Sequence, residues 1–529
     1  MKIILNTHKA FPWKEKEGEW YFRGTFFYNG VLYSVNNVDT VLGNLSVNEL
    51  PQIVSMFNGN FSLIVVSDSC TYVFSDKIMS FPLFYIKKEN GITISDDIYS
   101  LQQDSKFDKV GLREVLAFGY TLGTRTLFQD INMIPAGEYI VVGTSDYSVD
   151  RRKYHQHLHR EIEGVDEGTW LSRLDEVVNR MMDRFIQRVN NRQIVLFLSG
   201  GYDSRLILFN LYKRGYRNVI CISLRAEEDK DVQVARELAK KFSYNLIVFD
   251  FGKSYWKKVT SNEVFWKQFH KCSNGHVIYY PQGYAILNLL DRKLIDVDSV
   301  IITGNSGDVV EGNDVCTNFA RDKVYTSDDI IDEIISSHGL NITANDKVME
   351  NIKSDIIGSF SKKEEYNFVE AQDVFEYFNW YERQSKYVTS DVRNYDEISG
   401  NEWALPLWDD EFVNFWLDVP LDLRYKRKLY YEYVKTDNLP TANNDTLFIM
   451  LRRMLDRYGL WLIYLFYTIR QIIGYYGNNI LYSYHGMITI KEWLYILWKT
   501  RGSKVKHITA IEYKYFRKVF GVNIFDEAK

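Results

Sequence analysis

The chain has 529 residues, 46% hydrophobic and 25% charged, with 64 Lys plus Arg against 69 Asp plus Glu. That length calls for more than one domain with sizeable cores, and the balanced charge speaks against a nucleic-acid partner. Four cysteines at no metal-binding spacing, a start without a signal core and a longest apolar run of twelve residues (458–469) exclude a disulfide scaffold and a spanning helix, so a cytoplasmic location is expected.

Residues 1 to about 150 read as an α+β domain rich in antiparallel strands. Two aromatic-rich runs in 20–34 flank Asn29-Gly30, a hairpin signal. Further strands are predicted over 61–66, 71–74 and 91–95, a helix over 110–118, and a strand return over 128–142 around the turn Pro135-Ala136-Gly137. Residues 144–167 are polar and read as a linker. Its alternating His155, His157 and His159 have no neighbouring cysteine and are expected to be solvated rather than zinc ligands.

Beyond the linker the pattern changes. Leu171, Leu174, Val178, Met181, Phe185 and Val189 recur at helical spacing. Short apolar strands over 194–198, 219–224, 245–249 and 299–303 then alternate with helices over 205–214 and 231–242. That alternation predicts a parallel sheet covered on both faces. Residues 366–440 read as mostly helical, and the tail from 441 as helical, apolar and aromatic. Within that tail 448–476 is expected to dock on the preceding domain or a partner, with contact to an anionic membrane surface as the second reading.

The most informative residues are Ser199-Gly200-Gly201-Tyr202-Asp203-Ser204, between a strand and a helix. A helix start leaves unpaired N–H groups and partial positive charge. Two glycines let the backbone approach an anion closely. The hydroxyls of Ser199 and Ser204 can donate to phosphate oxygens, while Asp203 would repel phosphate unless Mg²⁺ lay between. The loop is not a Walker P-loop, which needs a Lys after its last Gly. It resembles the pyrophosphate loop of the ATP pyrophosphatases (PP-loop, adenine-nucleotide α-hydrolase-like). The resemblance implies ATP cleavage between the α and β phosphates with adenylation of a substrate oxygen.

A second glycine-rich turn, Gly304-Asn305-Ser306-Gly307-Asp308, follows the strand over 299–303. Here the chain resembles asparagine synthetase and its relatives, which include β-lactam synthetase and lasso-peptide cyclases. By that resemblance Asp308 is a second Mg²⁺ ligand beside Asp203. Glu402-Trp403-Ala404-Leu405-Pro406-Leu407-Trp408-Asp409 is similar to a family segment with Arg where Ala404 stands. The family lysine that reaches the adenylate falls on Lys428, with Lys426 as second choice. Glu227, Glu228, Asp229 and Asp231 read as a solvated acidic loop.

Residues 1–150 resemble the family's glutamine-hydrolysing Ntn-hydrolase domain, through Asn58-Gly59-Asn60-Phe61-Ser62 and Pro82-Leu83-Phe84-Tyr85 among other segments. Position 2 is Lys rather than the cysteine nucleophile, so no glutamine hydrolysis is expected.

The expected architecture joins α+β and α/β domains. A degenerate amidotransferase-like sandwich (1–150) precedes an ATP-binding synthetase domain (165–440) and a helical extension (441–529). The expected function is an ATP- and Mg²⁺-dependent ligase that adenylates a small-molecule, sugar-acid or peptide carboxylate and joins it to an amine. Ammonia would come from solution or from a partner, or the amine would belong to the substrate, and a homodimer is one assembly open to the chain. A non-catalytic nucleotide- or partner-binding relative is the alternative. A thiolation enzyme would need catalytic cysteines and a basic RNA face, and the sequence offers neither.

Overall fold

The computed structural model describes residues 1–43, 46–47, 49–102, 105–224, 229–250, 252–279, 281–312, 315–339, 347–358, 360, 363–435, 487–499 and 507–528. The expected helix over 448–476 and the acidic pair Glu227 and Glu228 lie outside these residues.

The first domain is a sandwich of two sheets. One holds strands Val149–Lys153, Glu138–Gly143, Cys70–Ser75, Asn58–Val66, Trp20–Tyr28 and Lys14–Lys16 in that order, with Val31–Tyr33 paired to Trp20–Tyr28. The other orders Lys2–Ile4, Gly91–Ser95, Phe84–Lys88 and Ile131–Met133. Period-two alternation sends Ile64, Val73, Ile140 and Val142 against Ile92 and Ile94 of the facing sheet. The opposite face buries Phe22, Phe61, Leu63 and Phe74 under the helices Asp39–Leu42 and Leu50–Ser55. The sheet runs further than the sequence pattern indicated. Val149–Lys153 pairs antiparallel with Glu138–Gly143, inside the segment read as linker.

The histidine strip after it departs from expectation. His157 is buried and stacks on Trp380, with ring centroids 5.8 Å apart, and His155 meets the same indole edge-on. His159 lies 3.0 Å from Asp373 and 3.3 Å from Glu376. These side chains are not solvated, because distant helices cover them. Burial holds His155 down to about 3, His159 down to about 4 and His157 well below the ordinary imidazole value. Each is therefore neutral when folded and takes up a proton on unfolding below about pH 6.5. Their contribution to stability is complete above that value and is lost as the pH falls through it toward the folded pKa. Burial raises Asp373 to about 6, which works in the opposite direction below that pH. Urea unfolding at pH 7 and pH 5 is expected to show a fall on the order of 1 kcal/mol per histidine. His157→Phe, which keeps the stack on Trp380, should flatten the dependence; an unchanged slope would contradict this account.

The second domain is built on a five-stranded sheet, all parallel, ordered Asn245–Val248, Val219–Ser223, Ile194–Phe197, Val300–Ile302 and Trp403–Ala404. Ile194, Val195, Leu196, Ile301 and Ile302 are fully buried, as strands covered on both faces require. The long helix Glu167–Val189 packs by one stripe, including Trp170, Leu174, Val178, Met181 and Phe185. Asp166 caps it by accepting from the Thr169 N–H at 2.9 Å.

The chain leaves the central strand Ile194–Phe197 toward one edge and returns on its other side at Val300–Ile302. Strand order therefore reverses between these two strands. In open α/β sheets the crevice beyond their C-terminal ends is where ligands bind.

Residues 368–399 form one continuous helix whose middle, Asn379–Val388, has π geometry. There Glu382 and Lys386 form a fully buried pair at 2.5 Å. Lys386 also donates to the carbonyls of Thr121 and Gly123, and Glu382 accepts from the Gly123 N–H at 2.8 Å. The pair thus ties the helix to the first domain. The described part of the tail also docks. Tyr515 bonds His270 at 2.8 Å, and Phe516 and Phe520 pack on Phe107. Among the described residues no helix is long and apolar enough to cross a membrane.

Candidate functional site

The strand Ile194–Phe197 ends in the loop 198–201, and the helix Tyr202–Lys213 opens with Gly201 at its N-cap. Gly201 has no side chain to cap that end, so the first-turn N–H groups are left for another acceptor. The loop is held from within. The Ser199 hydroxyl accepts from the Gly201 N–H at 3.2 Å, and the Ser204 hydroxyl accepts from the Ser199 N–H at 3.3 Å. Arg205, buried, donates to the Gly200 carbonyl at 2.8 Å. Gly200 packs so closely on Asp231 that a Cβ would come within 2.6 Å of its carboxylate. Asp229 caps the helix Lys230–Lys241 by accepting from the Asp231 N–H at 2.9 Å. The described half of the acidic loop is thus built into the site's wall.

The second loop lies directly against the first. A Cβ on Gly304 would sit 2.7 Å from the Ser204 nitrogen, and one on Gly307 would sit 3.0 Å from Asp203 Cγ and 2.4 Å from Leu407. Only residues without side chains permit this approach. Ser306, in left-handed geometry, donates to Gln384 at 2.8 Å, so the π segment holds the loop from behind. Asp308 is the second residue of the helix Gly307–Val310, one position past the residue that meets Asp203.

The cation on Asp203 is Arg427, a residue the sequence reading passed over. Its guanidinium bonds both Asp203 and Glu311 and lies over the Tyr430 ring, 4.5 Å from the centroid. Glu311 is fully buried and Arg427 nearly so. The two carboxylates push the guanidinium above its ordinary value against the cost of burial. Lys426 and Arg427 both have positive φ, 54° and 58°, a conformation that costs a non-glycine residue of order 1 kcal/mol or more. This turn sends Arg427 inward. Lys428 points elsewhere, pairing with Glu167 at 2.7 Å while half-exposed, and Lys426 lies over the Tyr425 ring. The structure thus brings together Ser199, Gly200, Gly201, Asp203 and Ser204 with the second loop, and places the side chain of Lys428 on the surface. Two consecutive basic residues before a helix were the available signal for Arg427, but spacing alone does not say which faces inward.

The segment 402–409 is structural. Glu402 forms a two-pronged pair with Arg192 at 2.7 and 3.0 Å, and Leu407 seats Gly307. Asp409 caps the helix Asp410–Asp418 and takes both prongs of Arg184.

With this geometry in place, the chain can be set beside known proteins. Residues 32–155 match the family described as a glutamine amidotransferase domain. The microcin J25-processing protein McjC of Escherichia coli is 24% identical over 252 residues, 45% of this chain and 45% of that protein. Two solved structures share 9% and 8% identity, each with a TM-score of 0.19. They are the allosteric regulatory enzyme of purine biosynthesis (45% of this chain, 62% of its own) and the glutamine phosphoribosylpyrophosphate amidotransferase of B. subtilis (56% and 64%). The chain spans less than two thirds of the length of each of these proteins. Residues 32–155 are thus glutamine amidotransferase-like and fall in the two-sheet sandwich, which a separate parallel-sheet domain follows.

Proposed function

We propose that the chain is an ATP-dependent, AMP- and pyrophosphate-forming amide ligase of the asparagine synthetase type. The observation that carries this reading is the contact of the two glycine loops, with Asp203 between them, at the reversal point of the parallel sheet. Hard carboxylate oxygens at a cradle that a Cβ would fill fit Mg²⁺. Asp203 and Asp308 would hold it, and it would supply charge neutralisation on the phosphates. The Ser199 and Ser204 hydroxyls and the first-turn N–H groups of the helix from Tyr202 would receive pyrophosphate.

In this reaction a substrate carboxylate oxygen attacks the α-phosphorus of ATP in line. The α–β bridging bond breaks, and pyrophosphate leaves with the electron pair. An amine then attacks the acyl carbon, AMP departs, and one proton is released. Arg427, which pairs with Asp203, would meet negative charge developing beside it. Among the acceptor classes open from sequence, the similarity to a protein that processes microcin J25 favours a peptide carboxylate.

Glutamine is not the expected nitrogen source. Cys221, Cys272 and Cys316 are buried, with thiols pushed up to about 12, too high for a neutral-pH thiolate. Cys70 sits in the sheet beside the hydroxyls of Ser67 and Ser69. Incubation with glutamine should release no glutamate; steady glutamate production would contradict this part of the proposal. The ligase reading itself is tested by supplying ATP with a panel of carboxylates, peptides included, and amines. AMP and pyrophosphate in equal amounts are expected, and ADP with phosphate would overturn it.

A further inference from the structure

We propose that the cavity between the two domains binds one small monovalent anion, a halide or a carboxylate of formate or acetate size, held by Arg393 and Asn394. The cavity measures roughly 50 Å³ and lies where the first domain meets the helix Thr389–Ser399. On that measure one water needs roughly 10–15 Å³, so the cavity has room for a small ion.

Most charges around it are paired. His8 lies 2.7 Å from Asp96 and 2.6 Å from Glu397, and Lys271 pairs with Glu397 at 2.5 Å. Arg23 pairs with Asp396 at 2.6 Å. Asp97 accepts from the Tyr99 N–H at 3.1 Å.

Arg393 is the exception. It is 7% exposed, and among the described residues its Nη1 has no partner. Its Nη2 donates to His276 Nε2 at 2.8 Å. Because His276 Nδ1 faces the Asn274 carbonyl at 2.9 Å, that ring is the neutral Nδ1–H tautomer and supplies no negative charge. The carboxyl that Arg393 senses through space, Asp76, spends its oxygens on the N–H groups of Phe61, Ile78 and Ser80. Asn394, 2% exposed and lining the same cavity, also has an unpartnered Nδ2 donor. A buried guanidinium without a counter-ion is costly, and burial already drags this one down to about 9. Both residues line the cavity and each carries an unpartnered donor, one of them charged, which is the complement of a monoanion. A phosphate dianion would meet Asp96, Asp97 and Glu397 with, among the described residues, one unpaired cation to offset it.

The test uses the full chain. Thermal unfolding is compared in sodium chloride, bromide, formate and gluconate at equal ionic strength, gluconate being the bulky reference anion. The small anions should raise Tm by roughly 2–4 °C over gluconate, and Arg393→Gln should remove the difference. Equal Tm in all four salts, or a difference that survives in Arg393→Gln, would overturn the proposal. Should Arg393→Gln fail to fold, bromide-grown wild-type crystals decide. An anomalous peak in contact with Arg393 Nη1 supports the site, and its absence refutes it.

Discussion

Asp203→Ala is expected to lower AMP and pyrophosphate release by at least 10²–10³-fold while leaving the protein folded, an order of magnitude typical of removing one preorganised electrostatic contact. The two halves of this expectation have separate physical sources. Asp203 lies in the first turn of the helix Tyr202–Lys213, where the Gly304–Gly307 backbone packs on it and few side chains could substitute for its carboxylate. Its removal takes away the negative charge that would bind a divalent ion beside the phosphates. The fold should survive because Arg427 keeps its second partner, Glu311. Asp203→Asn separates charge from shape: it keeps the volume and should lose nearly as much activity. Quantifying AMP by chromatography, with circular dichroism for folding, checks both. Activity within a few-fold of wild type in either variant would remove Asp203 from the chemistry.

Arg427→Met is expected to cost about 3–5 kcal/mol of stability, the scale for breaking a buried ion pair from one side. Glu311 is wholly buried, and methionine would leave it without the guanidinium. Methionine keeps the cost of the positive φ, which glycine would relieve, so Arg427→Gly, which tolerates that backbone, is the companion variant and should lose less. Adding Glu311→Gln to Arg427→Met should recover part of the loss, because the buried carboxylate charge that faced the guanidinium is gone. Strict additivity in this double-mutant cycle, read from urea midpoints, would mean the two residues are not coupled. Lys428→Ala, by contrast, removes only a half-exposed pair with Glu167 and should shift stability by about 0–1 kcal/mol. Should Lys428→Ala abolish turnover while Arg427→Lys remains active, the assignment of the inward cation would be reversed.

The geometry of the loop at Ser199 was legible because it is local. Strand, glycine pair and helix start follow one another within a dozen residues, and apolar runs mark the strands on either side. The second loop was legible for the same reason, as Gly304 and Gly307 announce a close approach before its target is known. What escaped depends on partners far away in the chain. His155, His157 and His159 sit in a polar stretch, and nothing near them indicates that Trp380 will cover them. The identity of the inward cation escaped because it is set by two left-handed residues, Lys426 and Arg427, and neither is a glycine that would flag such a turn. The π geometry of Asn379–Val388 likewise leaves no mark in the residue pattern, although it sets Gln384 against Ser306 and Lys386 against Thr121 and Gly123.

The most direct measurement follows one oxygen atom. With a carboxylate that supports turnover, labelled with ¹⁸O in both carboxyl oxygens, adenylation must pass a single ¹⁸O from the carboxyl group into the phosphate of AMP. Mass spectrometry should find AMP heavier by one label in step with amide formed. Unlabelled AMP, or ADP as the nucleotide product, would mean that the carboxylate never attacked the α-phosphorus.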